Sequence, residues 1–159
     1  MVMENILGIS AENRAVVAHQ LDKLLADEFV LYTKTLNAHW NLEGMDFHSV
    51  HLYFEELYKQ SAEIVDEVAE RIRQLGHYAP GTLKNFLDLT HLTEKDGGGN
   101  DSRTLIAKLL ADHESIIEFI RGNIKEFDEA HKDAGTSDWV TGLMETHEKI
   151  AWMLRAHLK

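Results

Sequence analysis

Residues 46–76 read DFHSVHLYFEELYKQSAEIVDEVAERIRQLG, and the spacing of the apolar residues in this stretch decides the fold. Phe47, Val50, Phe54, Leu57, Tyr58, Val65, Val68, Ile72 and Leu75 recur at the three- and four-residue intervals of one helical face. Asp46 stands where an N-cap is expected and Gly76 where a left-handed C′ residue ends a helix. A helix of this length extends about 45 Å, the dimension of a long bundle element.

Outward from it the same pattern repeats. From Ser10, a candidate N-cap, a helix carries Val17, Leu21, Leu24, Leu25, Leu31, Tyr32 and Leu36 and ends near Asn41 to Gly44. Another begins at Asp101 or Ser102 and runs through Leu105, Leu109, Leu110, Ile116, Ile120, Ile124 and Phe127. A last one, with Thr136 or Ser137 as its expected cap, carries Val140, Leu143, Met144, Ile150, Met153 and Leu154. Between the second and third lies a connection, residues 77–100, with Pro80-Gly81, a short apolar piece around Leu83, Phe86, Leu87 and Leu89, and Gly97-Gly98-Gly99. The expectation is all-α: one four-helix-bundle domain over residues 1–159, with a tail at 1–9 and a short extra helix in the middle connection.

Composition agrees. The 44% hydrophobic and 27% charged content suits a globular chain, and a single proline, Pro80, leaves the long helices unbroken. With no cysteine, disulfides and thiolate ligands are excluded, so any metal must be held by oxygen and nitrogen. No leader pattern or membrane-length apolar run is evident, and a cytoplasmic protein is expected. The net charge of −11, from 27 acids against 16 bases with no basic block, repels a phosphate backbone.

Ten histidines raise metal binding as a possibility. A di-iron site inside one ferritin-like bundle needs Glu-x-x-His pairs, and no glutamate here has a histidine three residues on. His51 with Glu55, and Asp66 with Glu70, are instead i,i+4 pairs of oxygen and nitrogen donors suited to Fe(II), Mn(II) or Zn(II). Stepping about 100° per residue from Phe54, the four fall near 60°, 100°, 120° and 160°, one flank beside the core stripe. His48 shares that flank, and the other histidines, His19, His77, His91, His113, His131, His147 and His157, have no such partners in the sequence and are read as surface or core. The two pairs lie fifteen residues apart, about 22 Å along the axis, far beyond one coordination sphere. A two-fold axis near residues 60 and 61 would lay a second copy antiparallel, bringing His51 and Glu55 of one chain opposite Asp66 and Glu70 of the other, with His39 within reach.

His39-Trp40-Asn41-x-x-Gly44-x-x-Phe47-x-x-x-His51-x-x-x-Glu55, followed by Asp66-x-x-Ala69-Glu70-Arg71, resembles the signature of the Dps family of mini-ferritins. The short middle helix and the ending His147-Glu148-Lys149-x-x-Trp152-x-Leu154-Arg155-Ala156 extend the resemblance over nearly the whole chain. It implies a hollow homododecamer whose iron-oxidising centres lie at two-fold interfaces, with His39, His51 and Glu55 from one subunit and Asp66 and Glu70 from the next. One or two iron ions per site, Fe(II) and hydrogen peroxide as substrates, and ferric mineral in the cavity are implied with it, with Zn(II) or Mn(II) able to substitute. Many relatives have aspartate where Glu55 stands, a departure that keeps the carboxylate and lengthens its reach. Glu129, Asp133 and Asp138, in the acidic turn before the last helix, are candidates for an iron-entry pore. The alternative of a DNA-compacting protein is not favoured, because residues 1–13 contain no lysine or arginine.

Overall fold

A computed structural model describes residues 7–95 and 97–159. Residues 1–6 of the expected tail and Asp96 of the middle connection lie outside the described residues. The chain is all-helical, with α1 at Ala11–Asn41, α2 at Phe47–Gln74, α3 at Leu83–Leu89, α4 at Ser102–Lys125 and α5 at Ala134–Ala156. A π turn, Glu126–Ala130, extends the end of α4. Helix α1 packs chiefly on α2, α4 packs chiefly on α5, and α1 also meets α3 and α4, giving the four-helix bundle with its short fifth helix in the middle connection.

The apolar stripes meet in one core. Leu21, Leu31, Phe54, Ile72, Ile116 and Leu154 are all fully buried there. Removing the Phe54 ring would cost about 3–5 kcal/mol, because so rigidly packed a site cannot collapse onto the hole. The stripe is not buried throughout its length: Phe47, at the first position of α2, is 42% exposed.

The helix ends show which local signals acted. Ser10 accepts a hydrogen bond from the Asn13 N–H, as an N-cap should. Gly76, at φ +90°, donates to the Arg73 carbonyl while His77 donates to Ile72, a Schellman turn that only a residue free of Cβ adopts cheaply. Two expected caps are corrected. Asp46 occupies the N-cap position of α2 but makes no side-chain capping bond. Helix α5 begins earlier than expected, at Ala134, with Asp133 as its cap, so that Thr136 and Ser137 lie buried in its first turn. No helix among the described residues is long and apolar enough to cross a membrane.

Candidate metal centre

Helix α1 ends at Asn41, and a short turn through Gly44, at φ +132°, sends α2 back along it. This places the last turn of α1 against the second turn of α2. The helical donor for the His39 carbonyl would be the Glu43 N–H, but that group bonds to the Asn100 carbonyl at 2.9 Å. The orphaned His39 oxygen instead accepts from His51 Nδ1 at 2.9 Å, and the His51 carbonyl accepts from His39 Nδ1 at 2.9 Å.

This reciprocal pair fixes the chemistry of both rings. A carbonyl oxygen can only accept, so each Nδ1 carries the hydrogen and each neutral ring presents Nε2 as a lone pair. Among the described residues neither Nε2 has a hydrogen-bond partner. The rings lie nearly parallel, with centroids 3.8 Å apart; Phe47 stacks on His51 at 4.8 Å and Tyr58 meets His39 edge-on at 5.1 Å. Phe47 and Tyr58, read from the sequence as core, wall the imidazoles in. A ligand histidine oriented by its other nitrogen is the usual arrangement around a protein-bound metal.

Glu55 stands one helical turn beyond His51, with its side chain partly open to solvent and bonded to Lys59. The Lys59 hydrogen bond, then the Lys59 charge and more weakly His39 and His51, hold its carboxyl below the ordinary carboxylate range. It is therefore ionised and available as an oxygen donor. Asp66 and Glu70 are exposed farther along α2, and neither has a hydrogen bond or ion pair among the described residues. His48 is exposed in the first turn of α2. No three His, Asp or Glu donors gather at one point within the described residues. One chain thus sets His39 and His51 side by side, with Glu55 one helical turn beyond His51 and bonded to Lys59, and leaves Asp66 and Glu70 about 22 Å farther along α2.

Arg71, next to Glu70, turns inward. Its guanidinium donates to Asp133 at 3.0 Å and to Thr136 Oγ1 at 2.9 Å, tying α2 to the turn before α5. Asp133 is 2% exposed and also accepts from the Thr136 N–H, so its carboxylate has a structural occupation. Glu129 and Asp138 are exposed on either side of it. The remaining histidines lie on the surface or in the core, and two of them meet carboxylates across the bundle: His91 contacts Asp27 at 3.0 Å, and His147 contacts Glu28 at 2.8 Å. These partners are fifty or more residues away in sequence, beyond any local spacing rule.

The ferritin-like domain family matches residues 18–159. An uncharacterised low temperature-induced protein of Nostoc is 39% identical over 153 residues, covering 96% of this chain and 86% of that one. DNA protection during starvation protein 2 of Bacillus anthracis is 36% identical over 142 residues, covering 89% and 96%. The chain belongs to the Dps family of mini-ferritins. Among solved structures this mini-ferritin resembles the DPS protein of Vibrio cholerae, described as a member of a broad superfamily of ferritin-like diiron-carboxylate proteins, with a TM-score of 0.91, 29% identity and coverage of 100% and 98%. DpsC of Streptomyces coelicolor gives a TM-score of 0.93 at 27% identity, with coverage of 100% and 92%.

Proposed function

We propose that this mini-ferritin oxidises Fe(II) with hydrogen peroxide at sites divided between two antiparallel copies of α2, and stores the ferric product inside a hollow homododecamer. The observation that carries the reading is the reciprocal His39–His51 pair, which leaves two Nε2 lone pairs beside the ionised Glu55. Asp66 and Glu70 of the partner subunit would complete each site. Iron is the substrate here: two Fe(II) ions give up one electron each, the peroxide O–O bond breaks, and both oxygens leave as water or hydroxide. Carboxylate donors favour the harder Fe(III) product, and consuming Fe(II) together with peroxide suppresses radical formation. Each site would hold one or two irons, and Zn(II) or Mn(II) would compete for the same donors. Glu129 and Asp138 would serve as the acidic entry to the cavity, with Asp133 bracing the turn that carries them.

A shared site has a signature that no single-chain site gives. His51→Ala and Asp66→Ala should each assemble but oxidise iron slowly. Reassembled from an equal mixture, half of the dimers are mixed and each of these regains one intact site of two, so roughly a quarter of the wild-type rate should return. No recovery on mixing would overturn the division between subunits, and wild-type rates in both single variants would overturn the site itself.

Coating of DNA is not part of this proposal, although relatives carry names that refer to DNA protection. At a net charge of −11 per chain, the assembled shell should leave duplex DNA unshifted in a gel at low salt. A retarded band at neutral pH without added metal would reverse that reading.

A further inference from the structure

The bundle holds a second carboxylate–imidazole set that the iron chemistry does not use. Glu28 of α1, His147 of α5 and His113 of α4 stand in a row, 0%, 1% and 1% exposed. His147 Nε2 lies 2.8 Å from Glu28 Oε1, and its Nδ1 lies 2.8 Å from His113 Nδ1. Glu28 Oε1 and Oε2, His147 Nε2 and His113 Nε2 are all buried with no hydrogen-bond partner, so Glu28 and His147 meet at ion-pair distance and not through an aligned hydrogen bond. The other charges of this core are engaged elsewhere: Asp27 of α1 with Thr90 and His91, and Asp112 of α4 with Lys34. Every buried residue of α2 is uncharged. On α2 the buried Tyr53 hydroxyl has no partner, but its ring lies on His157, ten residues beyond His147.

The row suits a proton better than a metal. His147 uses its two nitrogens in opposite directions, so the donors form a line rather than converge on one point. The contact between the two imidazoles needs one hydrogen, carried by either Nδ1. It persists while the other Nδ1 is free to accept. When both rings are protonated, both Nδ1 atoms carry hydrogen and face each other at hydrogen-bond distance, and this contact between α4 and α5 is lost.

We propose that Glu28, His147 and His113 form an acid-sensitive latch in the bundle core, closed while one of the two facing imidazole nitrogens is free of hydrogen and opened at the seam between α4 and α5 when both rings are protonated. Burial, and then the neighbouring His147 charge, hold the His113 imidazole well below its ordinary range. The unfolded chain therefore takes up at His113, below about pH 6.5, a proton that the folded chain refuses. Stability contributed by this residue is full above that pH and is lost as the pH falls.

Hydrogen–deuterium exchange at the histidine C2 position, followed by mass spectrometry on the intact wild-type shell from pH 4.5 to 8, reads the rings individually. His113 should behave as a neutral ring at every pH at which the shell remains folded. An independent titration of His113 near pH 6.5 with the shell intact would overturn the latch. Denaturant unfolding of the apo protein supplies the second reading. The wild-type folding constant should fall by up to tenfold per pH unit below pH 6.5 more steeply than that of His113→Gln, whose amide can hydrogen-bond to His147 but does not titrate. Equal slopes would overturn the proposal, and if His113→Gln fails to fold, the exchange measurement on wild type still decides. Co(II) added to His51→Ala should give no absorption band that depends on His113; such a band would replace the latch with a metal site.

Discussion

Two sets of imidazoles and carboxylates occupy this molecule, and they are finished in opposite ways. His39 and His51 are oriented by main-chain bonds and ring stacking, yet each keeps an Nε2 without a partner among the described residues, and Glu55 stands beside them partly open to solvent. Glu28, His113 and His147 are sealed in the core and spend their donors on one another. The same residue types therefore carry no fixed meaning. On the proposed function, a lone pair left without a partner is a ligand for iron shared with a second subunit, whereas one turned inward against a neighbour belongs to the fold.

The largest effect should come from breaking the sealed set. His147→Leu strips Glu28 of its one ion-pair contact among the described residues and leaves a buried carboxyl unpaired, so we expect a loss of about 3–5 kcal/mol in denaturant unfolding. Any subunit that still folds should oxidise iron at the normal rate per site, and a specific loss of oxidation would erase the distinction between the sets. Asp133→Ala should follow, at about 2–3 kcal/mol, because it removes both a helix cap and the buried partner of Arg71. If iron uptake fell while the unfolding midpoint stayed in place, Asp133 would belong to the pore rather than to the turn.

On the open side the order of effects reverses. His51→Ala should slow oxidation at least roughly tenfold and leave the melting temperature nearly unchanged, measured by stopped-flow absorbance and calorimetry on one preparation. The smallest change is expected for Lys59→Ala, which frees an exposed carboxylate. Its rate should stay within about threefold of wild type, since solvent already screens that pair. A larger loss would make Lys59 part of the site, holding Glu55 in place.

Much of this was legible before any coordinates. Helical periodicity placed the four long helices and the short fifth, because apolar stripes at 3.6-residue spacing are local signals. The flank shared by His51, Glu55, Asp66 and Glu70 was readable for the same reason. What escaped notice depends on contacts across the bundle. Thr136 and Ser137 resembled caps, yet Asp133 takes that position because Arg71, sixty-two residues earlier, holds its carboxylate in place. His113 and His147 lie thirty-four residues apart, and nothing near either predicts that they touch. The two Nδ1 bonds that orient His39 and His51 were equally hidden, since they use main-chain oxygens that every residue has.

The clamp at Arg71 also bears on where the chain tolerates changes in length. Glu70 and Arg71 are consecutive on α2, so the helix that presents one outward is anchored through the other to the turn before α5. A residue inserted between Lys132 and Ala134 would drag on that anchor and swing the Glu70 carboxylate by a fraction of a helical turn. A residue inserted at Gly97-Gly98-Gly99, where the backbone has positive φ at all three positions, would pull on the Lys108 bond to the Gly97 carbonyl and, one residue on, on the Asn100 carbonyl that holds the Glu43 N–H away from His39. A designer who wished to display a peptide on this protein would leave the acidic turn alone and, in opening the glycine loop, keep Asn100 against Glu43.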